Sequence, residues 1–98
     1  MMIRHLIVFN AREGMSREEC LHGLSEGRAL MQIPGVLHIS FGEAVAENAK
    51  YRYMFAADFE SESVIEIYKN HPLHVEYADN WFRPMAPDRI TTDFSILS

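Results

Sequence analysis

The stretch Tyr68-Lys69-Asn70-His71-Pro72-Leu73-His74 is the part of this chain whose residue types and spacing could do chemistry. Proline disfavours helical geometry at the residue before it, so a helix ends at His71 and Pro72 suits the first turn of another. A tyrosine near the end of one helix and a histidine in the first turn of the next can converge on one cleft. The dipole at a helix N-terminus disfavours imidazolium, which would keep His74 neutral and able to accept a proton. A hydroxyl such as that of Tyr68 could donate to a carbonyl oxygen as it gains charge. His5 shares a strand face with Ile7 and Phe9 and adds a polar group to an apolar wall.

Each of these residues also has a structural reading. Tyr68 and His74 could anchor interior hydrogen bonds, and His5 could be a satisfied core histidine. His71 suits a cap on the helix that Pro72 begins. The His71-x-x-His74 spacing lacks an obvious third ligand, so no metal is expected. Cys20 falls in an apolar helical stripe and reads as core.

The elements that must position these groups are legible in order. Residues 3–10 form a strand containing Ile7-Val8-Phe9. Ser16 and Glu19 have capping-box spacing. Behind them Leu21, Leu24, Arg28 and Met31 recur at helical spacing, with Cys20 and Leu30 at the stripe's edges, until Pro34-Gly35 stops the helix. Strands follow at 36–41 and 51–59, joined by a polar loop. A helix begins at Ser61 or Ser63 and breaks at His71-Pro72, and a short helix runs to about Trp81. Residues 83–88 form a loop, and 90–97 a last strand. The order β-α-β-β-α-β predicts an α+β, ferredoxin-like domain spanning residues 1–98.

A formal charge of -5 with no basic run excludes a phosphate-tracking nucleic-acid binder. The N-terminal apolar run is too short to span a bilayer, so no membrane association is expected. With one cysteine and no secretory signature, the expected location is cytoplasmic.

Two helices cover one face of a four-stranded sheet, yet both faces carry apolar residues. In the third strand Tyr51, Tyr53, Phe55, Ala57 and Phe59 share one face, and Met54 and Ala56 lie on the other. An uncovered aromatic face would be an aggregation liability, which predicts a homodimer with sheets paired face to face.

Arg4-His5-Leu6-Ile7-Val8-Phe9, Ile33-Pro34-Gly35-Val36, Phe41-Gly42, Phe59-Glu60-Ser61 and Tyr68-x-x-His71-Pro72-x-His74 resemble blocks of the stress-responsive dimeric α/β-barrel family, over nearly the whole chain. The resemblance implies a homodimeric barrel with an apolar cavity between helices and sheet in each subunit. A plant polyketide cyclase of that family closes a ring by cofactor-free aldol condensation. By that resemblance His74 is the general base, Tyr68 holds the substrate carbonyl and His5 orients the substrate. A small apolar, phenolic or polyketide-like molecule would then meet Ile7, Phe9, Phe55 and Trp81. Phe55 is bulkier than the valine at that place in the cyclase, which would narrow such a cavity. The other expectations are a stress-related dimer without enzymatic activity, and a cofactor-free monooxygenase of related architecture.

Overall fold

The computed structural model describes all 98 residues. Strands β1 (Ile3–Asn10), β2 (Val36–Glu43), β3 (Tyr53–Phe59) and β4 (Asp88–Ser95) form one antiparallel sheet in the order β2-β3-β1-β4. Helix α1 (Arg17–Glu26) connects β1 to β2, and α2 (Val64–Asn70), α3 (Pro72–Tyr77) and α4 (Arg83–Met85) lie between β3 and β4. This is the ferredoxin-like arrangement.

The Ser16 hydroxyl accepts from the Glu19 amide and the Glu19 carboxylate from the Ser16 amide, both at 3.1 Å, closing the capping box that starts α1. The helical stripe differs from the expected one. α1 ends at Glu26 and tightens into a 3-10 segment over Gly27–Gln32, which rotates the later positions. Cys20, Leu24 and Leu30 are therefore buried, Leu21 is half-buried, and Arg28 and Met31 face solvent. A Cβ on Gly27 would stand 2.7 Å from the Phe55 ring and 3.0 Å from that of Tyr77, so only glycine permits this approach of helix to sheet. Gly35, with φ +88°, makes the turn into β2.

The helices cover the face that carries Ile3, Ile7, Phe9, Phe55 and Phe59, all within the core. The aromatic face is thus the covered one, which corrects the expectation that it is left open. The open face carries Leu6 and Val8 of β1, Met54 and Ala56 of β3, and Ile90 and Phe94 of β4, in register across three strands. At its end Arg4 grips Asp58 through Nε at 2.8 Å and Nη2 at 3.1 Å. No helix is long and apolar enough to cross a membrane.

Candidate active site

After α3 the chain runs without interruption through a π-helical turn, Ala78–Phe82, into α4, where a loop was expected. A cleft of about 340 Å³ lies where α2, α3 and this turn meet the β1–β4 half of the sheet. Its floor is His5 and Ile7 of β1 with Thr91 and Asp93 of β4, and its walls include Phe59, Tyr68, His74 and Phe82.

The His71-Pro72 break builds one wall. His71 has extended backbone, and its Nδ1 accepts from the Leu73 amide at 3.1 Å, capping α3 as the sequence suggested. That places His74 in the first turn of α3, where its Nδ1 donates to the Lys69 carbonyl at 3.1 Å. Because a carbonyl only accepts, the proton sits on Nδ1 and Nε2 keeps its lone pair. Burial pushes the His74 pKa below the ordinary imidazole value, with His5 and Arg83 acting the same way against the Lys69 hydrogen bond. Desolvation is thus the largest cause that favours the neutral ring.

Tyr68 is buried, its ring centre 4.8 Å from Phe59, 4.4 Å from His74 and 5.5 Å from His5. Its hydroxyl has no hydrogen-bond partner in the protein. Burial raises its pKa strongly, reinforced by the Asp93 charge, so the phenol keeps its proton and serves as a donor. Across the floor, His5 Nδ1 donates to Asp93 Oδ1 at 2.5 Å. This bond turns the ring and leaves its Nε2 without a protein partner.

The structure therefore brings His5, Tyr68, His74 and Ile7 onto one cleft. The other three residues expected to touch a ligand lie elsewhere. Phe9 and Phe55 are 0% and 1% exposed, their rings packed on Phe82 within the core. Both face the helices, but Phe82 of the π-helical turn covers them. Trp81 points away from the cleft and stacks edge-on with His22 in a separate hollow of about 280 Å³. The extra residue per turn in the π-helical segment turns Phe82 inward and leaves Trp81 outside. Asp93, Thr91, Arg89, Phe59 and Phe82 were not singled out in the sequence. The alternation Arg89, Thr91, Asp93 was visible, but only the β1–β4 register places it opposite Phe9, Ile7 and His5. No three His, Cys, Asp or Glu side chains cluster as metal ligands. Cys20 is fully buried and its thiol is pushed up to about 11, so it is an inert core group.

The fold and this cleft define a ferredoxin-like α+β subunit with paired histidines and a tyrosine between helices and sheet. The chain belongs to the stress-responsive A/B barrel domain family (Dabb), whose model matches residues 3–96. No curated protein sequence matches it. Among solved structures, an Arabidopsis thaliana protein is 25% identical with a TM-score of 0.87, covering 98% of this chain and 96% of its own. A dimeric ferredoxin-like protein of unknown function from Thermobifida fusca is 24% identical with a TM-score of 0.82, covering 98% and 92%. A hydroxynitrile lyase from Passiflora edulis is 15% identical with a TM-score of 0.82, covering 97% and 93%, a likeness of fold alone.

Proposed function

We propose that this protein binds a small, largely apolar carbonyl compound, of phenolic or polyketide type, and catalyses cofactor-free acid–base chemistry on it. The observation that carries the reading is the pairing of His74, its Nδ1 committed to the Lys69 carbonyl and its Nε2 free, with the unpartnered hydroxyl of Tyr68. His74 Nε2 takes a proton from the carbon beside the substrate carbonyl, and the C–H electron pair becomes an enolate. Tyr68 donates a hydrogen bond to the oxygen that gains the charge. In an aldol-type ring closure the enolate carbon bonds to a second carbonyl carbon of the same molecule. The resulting alkoxide receives the proton that His74 took, and no electrons are gained or lost. His5, oriented by Asp93, contributes a second polar group to hold the substrate.

Two copies pair, as the dimeric description of the Thermobifida fusca structure supports, and the open apolar sheet face is the surface they would share. Exposed Ile90 and Phe94, at 50% and 47%, are then covered by the partner.

The test is binding of a panel of phenolic and polyketide-like acids, followed by exchange of the ligand's α-protons into deuterated water. Binding and exchange weakened by His74→Ala and Tyr68→Phe are the expected result. A folded protein that binds none of the panel would assign these residues to the architecture instead.

A further inference from the structure

Five charged side chains line the cleft: Glu66, Lys69, Arg83, Arg89 and Asp93. Three are cationic, although the chain as a whole carries a formal charge of -5. Their existing partners differ. Arg83 Nη1 is held by Asp79 Oδ1 at 2.6 Å, and Asp93 is engaged by His5. Glu66 meets Asn70 at 3.3 Å. Neither Lys69 nor Arg89 has a carboxylate within ion-pair distance. Arg89 is nonetheless fixed, because its Nη1 donates to the Ala86 carbonyl at 2.8 Å. One edge of a planar guanidinium is thereby anchored, and its remaining N–H groups stay available in a fork that matches a carboxylate.

The position of Arg89 gives this fork a purpose. Arg89, Thr91 and Asp93 alternate along one face of β4, opposite Phe9, Ile7 and His5 in register. Four residues of strand set the Arg89 backbone roughly 13 Å from that of Asp93. The cleft is therefore polar at both ends, with His5, Tyr68 and His74 towards one and Arg89 at the other. Ile7 and Phe82 supply apolar surface in the cleft between them.

We propose that Arg89 is an anion anchor that selects ligands bearing a carboxylate at the end opposite the reactive carbonyl. This rests on the cleft being the ligand site and adds a class of substrate to it: an amphiphilic acid, apolar in the middle, held by its carboxylate while His74 and Tyr68 act on the other end. Arg89 is a specificity-determining residue in this scheme and takes no part in proton transfer.

Calorimetric titration with 4-hydroxycinnamic acid and with its methyl ester tests the anchor, at a pH where the acid is ionised. The wild type should bind the acid about tenfold more tightly than the ester, the worth of one charge-assisted hydrogen bond. Arg89→Gln should bring the two affinities together by weakening the acid alone, and Arg89→Lys should keep part of the preference. Acid and ester binding the wild type equally, both weakened by Tyr68→Phe, would overturn the anchor and leave the cleft standing. A preference for the acid that survives in Arg89→Gln would also overturn it. Binding of neither compound to the wild type would overturn anchor and cleft together. The wild-type comparison needs no substitution, so it holds however the variants fold.

Discussion

The ring of Tyr68 lies 4.4 Å from that of His74, centre to centre and tilted by 40°, with His74 Nδ1 bound to the carbonyl of Lys69 one turn of chain away. The base and the donor of the proposed reaction are thus carried on either side of a single proline break. Their positions relative to each other depend on few residues.

Removing either group should affect chemistry far more than folding. His74→Ala should lower turnover by about 10²–10⁴-fold, the usual worth of a positioned base. It breaks one hydrogen bond, which costs about 1 kcal/mol of stability. Tyr68→Phe keeps the packing against Phe59 and loses only a hydroxyl without a protein partner. Its melting temperature should stay close to that of the wild type while turnover falls. Steady-state rates beside thermal melts check both, and an early melt of His74→Ala with rates intact would contradict the assignment.

The depressed pKa of His74 has two readable consequences. Its imidazole resonance should titrate with a midpoint below the ordinary value of about 6.5, as followed by NMR of the ring protons. Since the unfolded chain takes up that proton first on acidification, the site's contribution to stability is complete above about pH 6.5. It declines as pH falls through the lowered folded value. His74→Gln should flatten this part of the stability profile. A midpoint at or above 6.5 would remove the argument that burial keeps the base neutral.

The order of elements was legible because local signals agree with the final structure. The Ser16–Glu19 box, Pro34-Gly35 and His71-Pro72 each act within a few residues, and each holds in the structure. The closeness of His74 and Tyr68 was legible for the same reason, since only that proline break separates them. What sequence could not show lies between distant segments. Asp93 orients His5 only because β4 pairs with β1 in one register, and a shift of one residue would turn Asp93 to the other face. Phe9 and Phe55 read as ligand-contacting because strand alternation gives the face but not what covers it. Phe82 fills the space over their rings. Trp81 was placed on the wrong side because a single wide helical turn is not visible in a hydrophobic pattern. The same limit applies to the sheet: alternation showed two apolar faces without saying which one the helices take.

Gly27 offers a test of how tightly the helix side is packed. A methyl there meets the Phe55 ring at 2.7 Å, and both Phe55 and Tyr77 are buried. Tyr77 is also tied by its hydroxyl to the Gly23 carbonyl at 2.8 Å, so it cannot easily retreat. Gly27→Ala should destabilise the fold by about 1–3 kcal/mol, the usual cost of overpacking a core. Gly23→Ala should cost less, because its nearest neighbour is the Met85 sulfur, the end of a flexible side chain. Chemical denaturation of both variants checks the ranking.

The open sheet face makes the last prediction. Val8 stands between Met54 of β3 and Ile90 of β4, at the middle of the apolar band. Arg4 and Asp58 close one end with a two-point ion pair. If two copies meet here, Val8→Asp buries an unpaired carboxylate in an apolar interface, a cost that a dimer interface cannot absorb. Sedimentation should then show the wild type at twice the 11.3 kDa chain mass and the variant at the single-chain mass. The cleft opens on the opposite side of the sheet, so monomeric Val8→Asp should still bind its ligand, though with a less stable fold. A wild-type protein that sediments as a monomer would leave the exposed Ile90 and Phe94 without the partner proposed for them.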